Sequence, residues 1–223
     1  MEKLLKLLEE SKDTAASFRT IAEQLMNNYR LKISSKTYRL VECEFYYHCN
    51  DHRDPYAHGH ELQKTTFGKW YFHGSGLDIS LGKGKEEGMP YGGILLRGIV
   101  EVNEEDKMIN TAIIGPIKIC TELFKQVEDI AFHPFDFGFI DISGEPNRNI
   151  DVKVFAVPRI GLKPDREMHS DEKFCNRPYR FISFLSLPHK EIEKVKKYLI
   201  EESAATITKG EYLEYVRISK ESR

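Results

Sequence analysis

The sequence lacks long apolar runs, closely spaced cysteine pairs and any large excess of one charge. No apolar run approaches the length of a membrane span, and the opening residues MEKLLKLLEESKD are too charged for a signal peptide. The four cysteines include no C-x-x-C pair, and a chain of this size needs no covalent cross-link, so we interpret them as reduced thiols. We therefore expect a cytoplasmic protein with no membrane partner.

The sequence contains nearly equal numbers of basic and acidic residues. With 33 basic and 35 acidic residues, the formal net charge is −2. This balance is not that of a protein held on nucleic acid mainly by bulk charge. A hydrophobic content of 40% is ordinary for a globular protein, and 223 residues are long for one domain and short for two. No linker rich in Pro, Gly or Ser interrupts the chain, so we predict a single domain over residues 1–223.

Hydrophobic periodicity predicts helices at the beginning of the chain and mainly strands after them. Apolar residues recur at helical spacing in residues 2–10 and from Thr14 to about Arg30. Further helices are predicted at 115–124 and 189–202, and strands at 38–46, 70–72, 77–81, 93–100, 152–157, 179–185 and 212–218. Because turns and loops join most of these strands, we predict an α+β domain with a mainly antiparallel sheet. Its helices would begin in residues 1–30, and its β core would occupy residues 38–218.

Two acidic residues and a tyrosine alternate along the first predicted strand. Glu42, Glu44 and Tyr46 are spaced two residues apart, so their side chains should point to the same face. The intervening Cys43 and Phe45 are typical of the core side. Burial of two carboxylates without partners is costly, so their face either lines a solvated cleft or faces open water. Periodicity alone favours an exposed strand face.

Several short segments occur in an order that is typical of one known family. The segments are 39–46 (RLVECEFY), 57–59 (AHG), 93–98 (GILLRG), 115–120 (GPIKIC), 158–161 (PRIG) and 177–181 (RPYRF). In residue type and order, they resemble segments of the alkyladenine (3-methyladenine) DNA glycosylases. The resemblance extends over residues 39–181 and implies a curved antiparallel sheet flanked by helices.

The resemblance also implies a role for individual residues. Glu44 matches the catalytic base of the family, and Arg97 matches the arginine that holds this base and its water. Tyr46 matches the tyrosine that stacks on the flipped-out base, and His58 matches the histidine on the other side. Asp78 falls where the family has an asparagine in its pocket. The implied reaction is hydrolysis of an N-glycosidic bond by a water that Glu44 deprotonates, and it requires no cofactor.

The substrate implied by the residues differs from that of the family. Trp70 and Tyr71 are candidate additional surfaces for a base held between rings. The segment 71–76 is shorter than the family's DNA-inserting hairpin, and the loop between Tyr46 and His58 is longer. Asp78 adds a negative charge to the pocket. These differences fit a relative that acts on another substrate, with a nucleoside, a nucleotide or modified single-stranded nucleic acid as candidates.

A histidine-rich segment suggests a different chemistry. Five histidines lie within residues 48–73, a stretch that we predict to be a long loop up to residue 69. His48 and His52 have the spacing of two ligands on one helical face, and His58 and His60 have that of a pair on a strand. The spacing matches no specific metal motif, and a polar lid is the more common form of such a loop. A zinc or iron enzyme is nevertheless an alternative.

Three hypotheses follow from the sequence. The first is an enzyme that cleaves an N-glycosidic bond with Glu44 as its base. The second is a nucleobase-binding or nucleic-acid-binding protein that keeps the pocket of Tyr46, His58 and Arg97 without the reaction. The third is a metal-dependent enzyme that uses the histidine-rich segment. The surroundings of the Glu44 side chain would separate the first two hypotheses from an ordinary exposed strand.

Overall fold

A curled antiparallel sheet with helices packed against it makes up the protein. The computed structural model describes residues 1–10, 14–127, 135–146, 151–163 and 174–204. Its helices are α1 (Glu2–Leu5), α2 (Leu7–Glu10), α3 (Thr14–Asn28), α4 (Glu61–Thr65), α5 (Pro116–Val127) and α6 (Ile192–Ala204). Its strands are β1 (Tyr29–Ile33), β2 (Lys36–Cys49), β3 (His52–Arg53), β4 (Phe67–His73), β5 (Gly76–Leu81), β6 (Tyr91–Val102), β7 (Ile113–Ile114), β8 (Phe137–Asp141), β9 (Phe155–Val157) and β10 (Arg180–Ile182). The predicted α+β class is confirmed.

Strand β2 lies at the centre of the sheet. The main path of hydrogen-bonded strands runs β4-β5-β6-β2-β1-β8, and the sheet curls into a half-barrel. Strand β10 also pairs with β2 and joins β9 to the sheet, while β3 pairs with β2 and β7 with β6. Every one of these pairings is antiparallel, as predicted. Side chains of β2 are therefore surrounded by groups from β6, β1 and β10.

Helix α3 covers one face of the sheet because its apolar residues form a single stripe. Phe18, Ile21, Ala22 and Leu25 recur at the three- and four-residue spacing of one helical face, and all four are fully buried. The ring of Phe18 lies 4.6 Å from that of Phe45 on β2. This contact places the core side of β2 under α3 and leaves the other side of the strand to Glu42 and Glu44.

An irregularity in β2 adjusts the position of its acidic residues. The register between β2 and β6 shifts on both sides of Glu42, which lies opposite Gly98. A β-carbon at Gly98 would lie 2.9 Å from the β-carbon of Glu42, closer than real side chains approach. Glycine at this position therefore leaves room for the Glu42 side chain inside the sheet.

Several element boundaries differ from those predicted. The helix that was predicted to reach about Arg30 ends at Asn28, and Tyr29–Ile33 instead form β1. The interior of the sheet overrides the helical pattern there, because Leu31 and Ile33 are fully buried and pair with β2. The predicted loop at 48–69 contains β3 and α4. Strand β8 was not predicted.

The later predictions are correct in type but less so in extent. The strand predicted at 152–157 is restricted to β9, and the strand predicted at 179–185 is restricted to β10. The chain turns soon after β10, since Phe184 has a positive φ of 52°. The helix predicted at 189–202 begins at Ile192. The strand predicted at 212–218 lies outside the described residues.

The apolar stretches in the described helices are short. None of those in the described ranges is long and apolar enough to cross a membrane.

Candidate functional site

A cleft of about 410 Å³ opens beside β2, β5 and β6. Its volume is within the usual range for sites that bind small molecules. Four rings contribute to its wall, those of Tyr46, Tyr56, His58 and His73. Polar and charged side chains in the wall are those of Gln63, Ser75, Asp78, Arg97 and Lys163. Residues 160–162 also line the cleft.

Glu44 lies directly behind this wall and is 0% exposed. Its Oε2 accepts hydrogen bonds from the Tyr46 hydroxyl at 2.7 Å and from Arg97 Nη1 at 3.2 Å. Its Oε1 accepts a hydrogen bond from the backbone N–H of Ile160 at 3.1 Å. All three donors belong to residues that line the cleft, whereas Glu44 itself does not. The structure thus brings Glu44, Tyr46 and Arg97 together one side-chain layer from the cleft.

Glu42 is also 0% exposed, so the exposed strand face favoured by periodicity is wrong. Its Oε1 accepts from Arg97 Nε at 3.0 Å and Arg180 Nε at 2.9 Å, and its Oε2 lies 2.8 Å from His189 Nδ1. Burial alone would raise the pKa of Glu42. The hydrogen bond from His189 and the charge of Arg180 outweigh that effect and lower the pKa to about 2. Glu42 is therefore a carboxylate throughout the physiological pH range.

Arg97 connects the two carboxylates. Its Nε binds Glu42 and its Nη1 binds Glu44, so both ends of the guanidinium have a fixed direction. Burial would lower the pKa of Arg97, but the charges of Glu44 and Glu42 raise it above its ordinary value. The result is a permanent positive charge in the wall of the cleft, held in place from behind.

His189 completes the hydrogen bonds of Glu42. Its Nδ1 lies 2.8 Å from Glu42 Oε2, and its Nε2 lies 2.8 Å from the carbonyl oxygen of Ser183. Both neighbours are hydrogen-bond acceptors, so the ring is held between Glu42 and Ser183. With Arg97 and Arg180, His189 therefore holds both oxygens of the Glu42 carboxyl group.

Tyr46 has contacts that fix both its hydroxyl and its ring. The hydroxyl donates to Glu44, and burial together with the negative charge of Glu44 raises the pKa of Tyr46, so it stays a neutral phenol. The guanidinium of Arg159 lies 4.6 Å from the ring centroid. Arg159 is itself fixed by Asp54, with Nη–Oδ distances of 2.6 and 3.2 Å. This support keeps Tyr46 in one orientation at the cleft wall.

The other residues predicted for substrate binding are divided between two regions. His58 and Asp78 line the cleft. Tyr71 is buried behind it, where its ring stacks on His73 at 5.1 Å and on His60 at 5.5 Å. The structure does not bring Trp70 into this group. Its ring packs against Phe137 at 4.5 Å and Phe139 at 5.6 Å, both on β8.

The histidines considered as metal ligands each have different neighbours. The ring nitrogens of His52 face the carbonyl oxygen of Tyr47 and the hydroxyl of Tyr179. His48 stacks on Tyr91, and Nδ1 of His60 accepts from Leu62 at the start of α4. His58 contacts the ring of His73 edge-on. In the described part of the chain, no three His, Cys, Asp or Glu side chains are arranged to hold a metal ion.

Sequence reasoning missed the groups that support the predicted residues. Arg159 and Arg180 lie within segments 158–161 and 177–181. These segments resemble those of the glycosylases, but the sequence predicts no role for either arginine. His189 carries no local signal, since its partner Glu42 lies 147 residues earlier in the chain. Gln63 is a fully buried polar residue on a short helix inside the predicted loop. A buried polar residue of this kind is recognisable only when the surrounding fold is known.

Comparison with known proteins found a distant similarity to a viral protein. No family model matches the chain. The chain is similar to an uncharacterised protein of Acanthamoeba polyphaga mimivirus, L759, with 28% identity over 200 residues. The similarity covers 76% of this chain and 87% of the viral protein.

Proposed function

We propose that the protein is an N-glycosidase that hydrolyses the bond between a modified nucleobase and its sugar. One observation carries the proposal. A buried carboxylate, Glu44, is held by Arg97 and Tyr46 immediately behind a cleft whose wall contains four aromatic rings. The resemblance to the alkyladenine DNA glycosylases, in which the matching residues have these roles, supports the same conclusion.

The cleft provides what a detached or flipped base requires. Its volume of about 410 Å³ is sufficient for a flat bicyclic ring. The ring faces of Tyr46 and His58 provide surfaces on which such a base can stack. Arg159 on Tyr46 and His73 against His58 hold both rings in place. A base would therefore enter a site that is largely formed in advance.

The reaction assigns separate tasks to the buried charges. A water oxygen attacks the sugar carbon, and Glu44 takes the proton that the water loses. The electron pair of the carbon–nitrogen bond leaves with the base. Arg97 holds Glu44 in one orientation through a hydrogen bond, and Glu42 holds Arg97 in the same way. Turnover therefore depends on hydrogen bonds that are already made without substrate.

Access of water to Glu44 requires a local opening. Its Oε1 accepts a hydrogen bond from Ile160 among the described residues and retains a second lone pair for a water. Because the side chain is fully buried, residue 160 and the ring of Tyr46 must separate before that lone pair reaches the cleft. We expect substrate binding to cause this separation.

The full burial of Glu44 favours a second candidate function. A carboxylate with three hydrogen-bond donors and no exposed surface is suited to hold Arg97 and Tyr46 in the wall without taking part in a reaction. In that case the protein binds a nucleobase in the same cleft without cleaving it. The two functions share the binding site and differ in turnover.

Release of free base distinguishes the two functions. Wild-type protein and Glu44→Gln are incubated with alkylated DNA, alkylated RNA and modified nucleosides, and released bases are measured by chromatography. We expect release by the wild type and a loss of about 10²- to 10⁴-fold in the variant. Glu104→Gln, which makes the same change on the surface, serves as the control and should retain full activity.

Thermal unfolding should show that Glu44→Gln is folded. Binding of bases without release from any member of the panel supports the second function. If the wild-type protein neither binds nor releases any base of the panel, that result would contradict both functions.

A further inference from the structure

Two carboxylates point into the same region from either side of one leucine. Leu95 on β6 pairs with Glu44 on β2 and also with Asp78 on β5. Side chains of directly paired residues lie on the same face of a sheet. Because neighbouring strands are about 4.8 Å apart, the Cα atoms of Glu44 and Asp78 are separated by roughly 10 Å.

The Asp78 end of the cleft contains acceptors that lack donors. Asp78 is 3% exposed and Gln63 is 1% exposed, and both line the cleft. Among the described residues, neither Asp78 Oδ1 nor Gln63 Oε1 has a hydrogen-bond partner. His73 Nε2 lies 3.1 Å from Oδ1, but outside hydrogen-bond geometry. Buried acceptors of this kind are rare in folded proteins and call for a partner.

A hydrogen bond fixes the two side chains that carry these acceptors. Gln63 Nε2 donates to Asp78 Oδ2 at 2.9 Å, so the amide orientation is set and Oε1 remains an acceptor. A β-carbon at position 93 would lie 2.5 Å from Asp78 Oδ2, and Gly93 therefore provides the space that this carboxylate occupies. Asp78 belongs to strand β5 of the sheet, and Gln63 belongs to helix α4, which packs against β5 and β6.

We propose that Asp78 and Gln63 are the specificity-determining residues of the cleft and select a ring whose edge presents adjacent N–H donors, as guanine does. The proposal rests on the function proposed above only in treating the cleft as a nucleobase site. Asp78 Oδ1 and Gln63 Oε1 accept from the ring N–H and the exocyclic amine after His73 rotates away from Asp78. A ring without that amine leaves one acceptor unsatisfied, and a ring with a carbonyl there places two acceptors against each other.

Binding of purines that contain no glycosidic bond tests this selection separately from catalysis. The probes are 9-methylguanine, 9-methylhypoxanthine, which lacks the amine, and 9-methylxanthine, which has a carbonyl in its place. Dissociation constants are measured by calorimetry for the wild-type protein. We expect 9-methylguanine to bind at least about tenfold more tightly than either of the others.

Two variants test whether the two residues cause the preference. In Asp78→Asn, which keeps the size but loses the charge and one acceptor, the preference should fall below about threefold. Gln63→Leu removes the second acceptor and should reduce the preference over 9-methylhypoxanthine in the same way. It also tests the proposal if Asp78→Asn does not fold. Asp51→Asn, the same change at an exposed position, is the control and should keep the wild-type preference.

Equal binding of the three probes, no binding, or an unchanged preference in both cleft variants would overturn the proposal. Equal binding together with base release that depends on Glu44 would overturn this inference and leave the glycosidase function intact. A preference for guanine without any base release would support the inference and contradict the glycosidase.

Discussion

In the described part of the chain, two clusters of buried charge include residues of β2, and only one of them borders the cleft. The Glu44 cluster consists of Glu42, Glu44, Arg97, Arg180 and His189. The Asp106 cluster consists of Arg30, Arg39 and Asp106. Both contain nearly fully buried arginines, yet no member of the Asp106 cluster lines the cleft. Burial of charge by itself therefore does not identify a functional site in this protein.

The Asp106 cluster has the geometry of a structural clamp. Arg30 Nε and Nη2 bind the two oxygens of Asp106 at 2.5 and 2.6 Å, and Arg39 Nη2 binds Oδ2 at 2.5 Å. Arg30 Nη1 also donates to the carbonyl oxygen of Tyr29 at 2.7 Å. The clamp ties the connection after β6 to β1 and β2. In the Glu44 cluster, by contrast, Arg97 holds the carboxylates and also forms part of the cleft wall.

The largest effect that we expect is a loss of stability when the Asp106 cluster is disrupted. Asp106→Asn removes the anion shared by two buried arginines, so the free energy of unfolding should fall by about 3 kcal/mol. The affinity of the folded variant for 9-methylguanine should not change, because the clamp does not contact the cleft. Urea unfolding and calorimetry measure the two quantities, and exposed Asp51→Asn should change neither by more than about 0.5 kcal/mol. A loss of affinity for 9-methylguanine in Asp106→Asn would contradict this difference, because both clusters would then affect ligand binding.

A somewhat smaller effect should appear in acid. The folded-state pKa of Glu42, about 2, lies below the ordinary value of 4.5, so its contribution to stability is fully present above about pH 4.5. That contribution, about 3 kcal/mol at most, should disappear as the pH falls from about 4.5 towards 2. The difference in unfolding free energy between the wild type and Glu42→Gln should therefore shrink over this interval. A difference that does not depend on pH would contradict the assignment of the low pKa to Glu42.

Loss of one hydroxyl should have a moderate effect. Tyr46→Phe removes the hydrogen bond to Glu44 and should lower the unfolding free energy by about 1.5 kcal/mol, since the bond involves a charged acceptor. The ring remains, so 9-methylguanine should bind within about threefold of the wild-type affinity. Tyr198→Phe on α6 is the matched control. A large loss of affinity in Tyr46→Phe would mean that the hydroxyl, rather than the ring, contacts the ligand.

The smallest effect concerns a ring outside both clusters. Trp70→Phe should cost about 1 kcal/mol of unfolding free energy, because part of the contact with Phe137 and Phe139 is lost. Base release and purine affinity should stay at wild-type values. Altered affinity in this variant would place Trp70 on the ligand, as the sequence alone had suggested.

The sequence predicts those parts of the fold and site that depend on neighbouring residues. Helix α5 and the long strands β2 and β6 follow from local periodicity, and Glu44, Tyr46 and Arg97 follow from short motifs. Strand β8 escapes prediction because its residues are only partly buried and its partner β1 lies about a hundred residues earlier.

For a similar reason, the sequence does not predict the burial of Glu42. An acidic residue on a strand is expected to face water unless hydrogen-bonding partners surround it, and two of the partners of Glu42 come from positions 180 and 189. The separation of Trp70 from Tyr71 is also a property of the folded sheet. Adjacent residues on a strand point to opposite faces, so only one of the pair can approach the cleft.

The double pairing of Leu95 makes the proposed site depend on the alignment of three strands. A slip of one residue between β6 and either neighbour would turn Glu44 or Asp78 to the opposite face of the sheet. A single-residue insertion or deletion within β6 should therefore abolish function outright rather than alter the choice of ligand. Changes of ligand preference are accessible only through substitutions that leave the length of these strands unaltered.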